Sequence, residues 1–362
     1  MLQNINNLNT QTLLGLNDIC IIPEPLTLIR SRKECNPYHK NGMLPLFTAP
    51  MSCVIDVKNY NEFLRRNIQT IIPRSIPYQT RVSLSEICFS AFGLSEFEQL
   101  IDMDIWNNDA KQRYICIDIA NGHMKHIYEL CKHAKKTFGN RIIIMTGNIA
   151  NPDTYDIIGK EYGECVDYVR IGIGSGYCCT TSANTAIHYP MASLIKECHS
   201  KRLLNYKVKY PKIVADGGFK NFDQIIKALA LGADYVMLGS IFAKTEEACG
   251  PTAIRYEWNN EKALVYVDKS ELYGGTQYVK FRKYYGMSTK RAQQEFGGNG
   301  TKTSEGIETN VYIEYTLEQW LDNFISYLKS AMSYTNSKNL SDFIGQPKIG
   351  VISNMAYVAY FK

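Results

Sequence analysis

The stretch Ile171-Gly172-Ile173-Gly174-Ser175-Gly176-Tyr177-Cys178-Cys179-Thr180-Thr181 decides how this chain is read. It follows an apolar run, Val166 to Ile171, that predicts a buried strand. Glycines at every second position let the backbone turn tightly and approach a ligand or ion. A cysteine on such a loop sits at the carboxyl end of a parallel sheet, where barrel enzymes carry nucleophiles. The competing reading is a packed thiol, because free cysteine behaves as a small hydrophobe.

Outward from this loop, short apolar strands alternate with helix-length segments. Strands are expected at Leu44–Ala49, Thr70–Pro73, Glu86–Phe92, Tyr114–Ile119, Arg141–Thr146, Val166–Ile171, Lys212–Ala215 and Tyr235–Gly239. Helices are expected at Asp56–Arg65, Ser95–Ile101, Met124–Phe138, Asn151–Tyr162, Met191–Leu203 and Phe222–Leu231, with a short one from Phe242. Only a short polar piece follows the second strand. Such alternation implies an α/β fold with a parallel sheet, and eight repeats favour closure into a (β/α)8 TIM barrel. An open doubly wound sheet competes less well, because no strand carries a GxGxxG fingerprint into a helix. Beyond strand eight, Leu264 to Tyr285 reads as a β-hairpin, Gly297 to Glu305 as a glycine-rich flap and Trp320 to Met332 as a C-terminal helix. Residues 1 to about 43 read as an irregular lead-in, and Val351 to Phe361 as a partly apolar tail. The whole of 1–362 is expected to be one catalytic barrel domain.

Composition narrows the function classes. The chain of 362 residues is 45% hydrophobic and 21% charged with a net charge of +5, values of an ordinary globular enzyme. Acids and bases are mixed, so nothing points to nucleic acid or a membrane surface. Eleven scattered cysteines without a CxxC pair suit reduced thiols in a cytoplasm, and no zinc spacing appears. Met1 to Thr12 is polar and unlike a signal peptide.

Functional residues of a barrel should follow its strands. Here the strand ends carry Asp118 to His123, Gly147-Asn148, the cysteine loop, Asp216-Gly217-Gly218 and Gly239-Ser240. Glycines at the last two strand ends offer bare N–H groups to a phosphate, with Asp216 between them for ribose hydroxyls; simple turns are the alternative. Arg74, straight after strand two, reads either as a cation for an anionic group or as a surface ion pair. His123 and His188 read as structural or solvated. The pair Glu246-Glu247 is expected to start a short helix, where acids suit the dipole.

The chain resembles the IMP dehydrogenase/GMP reductase family. The resemblance is carried by Ala49-Pro50-Met51, Asp118 to Gly122, Gly147-Asn148, Gly172 to Thr181, Ala215 to Gly218, Lys227 to Ser240, Thr245 to Gly250, Tyr285-Gly286-Met287-Ser288 and Glu305-Gly306, in family order. It implies a (β/α)8 barrel, a homotetramer or larger, acting on a purine nucleoside monophosphate (GMP or IMP). By the resemblance, Cys179 is the nucleophile at C2 of the purine. Thr181 and Glu305 move the proton of the leaving amine, and Arg74 helps polarise the base. Asp216 and Gly217 lie at the ribose, while Gly218, Gly239, Ser240 and Tyr285 hold the phosphate. Gly286, Met287 and Ser288 meet the base. Asp118, Ala120, Asn121, Gly122 and Asn148 line the nicotinamide side of NADPH. Backbone of Gly174, Gly176 and Cys179 forms a monovalent-cation site for potassium.

Within the family, reductase chemistry is the expectation. Only about ten polar residues, Pro77 to Glu86, stand where dehydrogenases carry a CBS pair. The stretch Phe296 to Glu305 lacks the Arg-Tyr pair that activates water in their flap. Arg170, Thr245 to Ala248 and Glu305 to Glu308 are closer to the dehydrogenase, and Ser175, Tyr177 and Ser182 depart from the family's common residues. A CBS-less IMP dehydrogenase and a non-catalytic nucleotide-binding barrel are the alternatives.

Overall fold

A computed structural model describes residues 12–103, 105–106, 109–258, 261–267, 279–286, 289–295 and 306–361. Strand β1 (Ile19–Ile22) lies outside the main sheet. The barrel strands are β2 (Leu46–Thr48), β3 (Ile71–Ile72), β4 (Phe89–Phe92), β5 (Arg113–Ile117), β6 (Ile142–Ile149), β7 (Tyr168–Ile171), β8 (Lys212–Asp216) and β9 (Tyr235–Leu238). They form one parallel sheet in the order β2-β9-β8-β7-β6-β5-β4-β3. The Phe47–Gln69 bridge joins β2 to the residues before β3 and closes the ring. The fold is therefore the expected (β/α)8 barrel. Between strands run α1 (Tyr60–Leu64), α2 (Tyr78–Leu84), α3 (Leu94–Asp102), α4 (Lys125–Phe138), α5 (Pro152–Tyr162), α6 (Thr181–Thr185), α7 (Met191–Leu204) and α8 (Phe222–Leu231), with α9 (Ser240–Ala243) after the last.

Strand alternation sorts the side chains. Phe47, Phe89, Tyr168 and Tyr235 meet across the barrel's N-terminal half, with ring centroids 5.0 to 5.9 Å apart. Two residues further along, Ala91, Cys116 and Met237 fill the middle. Arg170, two residues beyond Tyr168, reaches this layer beside Cys116, and Asp118, two beyond Cys116, follows, so charge gathers toward the mouth. Apolar plugs below and charge above leave one end of the barrel for chemistry.

Several expectations change. The polar piece after strand two is helix α2, because Arg81 turns inward and is buried against Phe92, 4.9 Å from its ring. The expected hairpin at Leu264–Tyr285 is a four-stranded antiparallel sheet. In it β10 (Thr252–Trp258) pairs with both β11 (Glu261–Val267) and β12 (Val279–Tyr285), and β13 (Glu308–Tyr312) adds to β12. Helix α10 (Lys290–Glu295) follows β12. Glu246-Glu247 starts no helix. Glu247 instead accepts the Leu317 N–H at 2.7 Å, capping α11 (Leu317–Tyr334), the expected C-terminal helix. Beyond it lie α12 (Leu340–Phe343), β14 (Lys348–Val351) and α13 (Asn354–Tyr360), and β14 pairs antiparallel with β1. The lead-in is thus tied to the tail, a pairing of residues over 300 apart that no local pattern encodes. The flap stretch Gly297–Glu305 and residues 1–11 lie outside the described residues.

One buried group gives the fold a pH dependence. His199 of α7 is 3% exposed and wedged between Gly232 and Gly345. Its Nδ1 accepts from Arg202 Nη2 at 3.0 Å, and burial together with that cation pushes its pKa down to about 4. The neutral ring is favoured in the folded state, so its contribution is complete above the unfolded pKa near 6.5. It is lost as pH falls through about 4, and amounts to about 3 kcal/mol. Urea unfolding at pH 7 and pH 4.5 should show wild type losing more stability than His199→Gln. Equal losses would mean that burial does not hold this ring neutral.

Candidate functional site

A cavity of about 480 Å³ opens at the carboxyl ends of the barrel strands, a size suited to a nucleotide-like ligand. The cysteine loop forms one wall. Gly172 lies against β8, where a Cβ would come within 2.5 Å of the Asp216 carbonyl. Gly174 lies against α6, where a Cβ would meet Ser182 Oγ at 1.7 Å. Both have positive φ, +121° and +68°, so glycine is required on two counts. His188 Nδ1 pairs with the Ile173 carbonyl at 2.9 Å and steadies the same loop.

The two adjacent cysteines are sorted by burial. Cys178 is 2% exposed with its Sγ 3.8 Å from the Tyr284 carbonyl, and burial pushes its thiol up to about 12. It is a packing thiol. Cys179 is half-buried and lines the cavity, with Sγ 3.2 Å from Thr181 Oγ1. Gly306 bridges to Cys179, and the Ile307 N–H donates to the Cys178 carbonyl at 2.9 Å. The chain returning from the flap is thereby stitched to the cysteine loop. Glu305, Met287 and Ser288 lie outside the described residues.

Across the cavity stands a charged cluster. Arg170 Nη1 donates to Asp118 Oδ1 at 2.7 Å, and its Nε and Nη2 donate to Asp216 Oδ2 at 3.1 Å each. Asn148 Nδ2 donates to the same Asp216 oxygen at 2.7 Å and to the Gly172 carbonyl at 2.8 Å. Burial works against the guanidinium charge, but Asp216 and Asp118 hold its pKa well above the ordinary value. Arg170 was legible only as a family variation. Its signal is the alternation Tyr168, Arg170, which puts a charge inside the barrel one residue before β7 ends. Asp118, Ala120 and Asn148 line the cavity. Asn121 is exposed and Gly122 buried, and neither lines the cavity; the Gly122 N–H donates to the Asn148 carbonyl at 2.8 Å. His123 accepts the Ala150 N–H at Nε2, 3.1 Å, and pairs with Thr154 at 2.9 Å; its desolvated ring has a lowered pKa and braces the loop.

The phosphate-side residues divide. Asp216 and Gly286 line the cavity, whereas Gly217 and Gly218 pack beneath Ser175-Gly176. Gly239 and Ser240 stand at the end of β9. Tyr284 rather than Tyr285 faces the cavity, because neighbours on β12 point to opposite faces. The Tyr284 hydroxyl donates to Met51 Sδ at 3.5 Å, and a Cβ on Gly239 would lie 2.6 Å from it. The Tyr285 hydroxyl pairs with Ser52 Oγ at 3.1 Å. Arg74 lines the cavity and pairs with Glu96 at 3.6 Å, the ion pair of its second reading.

Two absent groups can be tested against these residues. Asn148 Oδ1 is a buried acceptor at the cavity wall with no hydrogen-bond partner among the described residues, which suits an amide donor such as nicotinamide. The Gly174 and Gly176 carbonyls each accept one hydrogen bond, from Ser182 Oγ and the Cys179 N–H, and keep a second lone pair. Neutral oxygens of this kind fit a monovalent cation better than a divalent one. Among the described residues no cluster of three His, Cys, Asp or Glu could hold a metal ion. No described helix is long and apolar enough to cross a membrane.

Comparison with known proteins matches residues 107–359 to the IMP dehydrogenase / GMP reductase domain, well over half of the chain. The chain belongs to the IMP dehydrogenase/GMP reductase family. The family match covers the charged cluster, the cysteine loop and the added sheet, while Arg74 and Glu96 precede it. Among relatives in the family, the GMP reductase of Buchnera aphidicola subsp. Schizaphis graminum is 28% identical over 91% of each chain. GMP reductase 2 of Bos taurus is 29% identical over 68% of this chain and 63% of its own. An inosine-5'-monophosphate dehydrogenase of Staphylococcus saprophyticus is 32% identical, over 62% of this chain and 42% of its own.

Proposed function

We propose that this protein is a GMP reductase, converting GMP to IMP and ammonia. The observation that carries the reading is Cys179, the half-buried thiol of the pair at the cavity wall, beside Thr181, in a family one of whose reductases matches 91% of this chain. The Cys179 thiolate adds to C2 of the guanine, and the exocyclic amine leaves as ammonia after taking a proton. Thr181, with Glu305, relays that proton. The product of this step is a thioimidate between Cys179 and the purine, dividing a difficult displacement in two. NADPH, when bound, supplies the hydride that replaces sulfur at C2. Asp216 holds the ribose hydroxyls, held in place by Arg170 and Asn148. Asn148 presents its unsatisfied acceptor to the nicotinamide amide, and Arg74 polarises the base. The phosphate lies at the ends of β8 and β9, against Gly218, Gly239 and Ser240. Gly174, Gly176 and Cys179 offer carbonyls to potassium.

The reading also makes 1–362 one catalytic domain without a CBS pair, working as a cytoplasmic homotetramer. The β3–β4 connection supports the first part, since it holds only α2. Arg170 and the Staphylococcus relative favour the dehydrogenase as the second reading. Absorbance at the reduced-nicotinamide band, with potassium present, separates the two. Loss of signal with GMP and NADPH is the expected result. A gain with IMP and NAD+ instead would replace the reductase by the dehydrogenase.

A further inference from the structure

The surroundings of Arg74 are more specific than an ordinary ion pair requires. Its side chain is 34% exposed, and its Nε stands 3.6 Å from Glu96 Oε2. Glu96, in the first turn of α3, is itself pinned. It accepts the Gly93 N–H at 2.7 Å and takes both Nη atoms of buried Arg81 at 2.6 and 3.2 Å. Arg81 is fixed in turn by the carbonyls of Ile76 and Ala91, each at 2.7 Å. The carboxylate therefore cannot follow Arg74; Arg74 must come to it.

Gly93 completes the arrangement. Its φ of −73° and ψ of 169° are extended backbone open to any residue. Yet a Cβ there would lie 2.6 Å from Arg74 Nη2 and 2.9 Å from Cζ. The guanidinium, not the turn, requires the glycine. Two guanidiniums share one carboxylate here. We infer that Gly93 and Glu96 form a seat that sets where Arg74 meets the bound ligand, and that both are positioning residues acting through it. The inference rests on the proposed reading that nucleotides occupy this cavity.

Gly93→Ala is the sharpest probe. The backbone accepts alanine, and the only close contact is the far end of a flexible side chain, so the fold is kept while Arg74 is displaced. A fall in kcat/KM of roughly ten- to a hundredfold is expected, with an unchanged melting temperature. Glu96→Gln should act in the same direction. In an Arg74→Met background Gly93→Ala should add less than about a twofold further loss, as coupled neighbours do. The same loss in both backgrounds, no loss in either, or an Arg74→Met protein as active as wild type would overturn the inference. Wild-type turnover of GMP with NADPH, and of IMP with NAD+, is measured first. If wild type turns over neither pair, the reductase reading fails separately, and the same ratios are then taken from calorimetric dissociation constants of GMP and NADPH. Binding of neither nucleotide would overturn the seat as well.

Discussion

Cys179→Ala should lower kcat for GMP by about four orders of magnitude or more, the scale on which removal of an activated nucleophile acts. The melting temperature should stay close to that of wild type. Cys179 is half-buried beside the cavity, so truncation removes a reacting atom and little packing. Its neighbour makes the control. Cys178 is buried against the Tyr284 backbone, and Cys178→Ala should cost about 1–2 kcal/mol through the space it leaves while retaining turnover. Urea unfolding and steady-state kinetics on both variants separate the roles. Turnover surviving in Cys179→Ala would remove the covalent mechanism. An inactive but fully stable Cys178→Ala protein would mean that the wrong sulfur has been chosen.

Arg170→Met should be the most destabilising single change at the site. The Arg170 side chain, 8% exposed, stands between those of Asp118 and Asp216, 15% exposed each. Removing one partner of a buried charged group leaves the others desolvated and unpaired, at a cost of about 3–5 kcal/mol. Asp216 would also lose two of the donors on Oδ2, keeping Asn148 alone. Its carboxylate would no longer be held toward the ribose position, so kcat/KM should fall by about a hundredfold or more. Adding Asp118→Asn to Arg170→Met should restore part of the stability, since one of the stranded charges is gone. A stability loss below about 1 kcal/mol, or no recovery in the double variant, would show that the cluster does not behave as a buried ionic unit.

Legibility differs from residue to residue, and the pattern has physical causes. Asp118, Asn148, Cys179 and Asp216 each stand at or just past the carboxyl end of a strand of a parallel barrel, so the β/α alternation alone directs attention to them. Arg170 needed one more inference, the inward face of β7. Tyr284 and Tyr285 are chemically identical neighbours, and only the pairing of β12 with β10 and β13 decides which faces the cavity. Glu247 has the sequence context of a helix-start acid, and it is one, but of α11, 70 residues further on. Arg74 read equally as ligand cation or ion pair, because its sequence neighbours do not include Glu96 or Gly93.

The repeating β/α pattern, the barrel that eight such units close, and the strand ends at which polar residues gather are all encoded locally in the chain. These follow from hydrophobic period and glycine placement, which are local. Which cysteine is buried, which tyrosine faces in and which carboxylate holds which arginine emerge only once the chain is folded. So does the pairing of β1 with β14. Each depends on distances between residues far apart in the chain, where burial and partner geometry fix the choice between groups of the same chemical type.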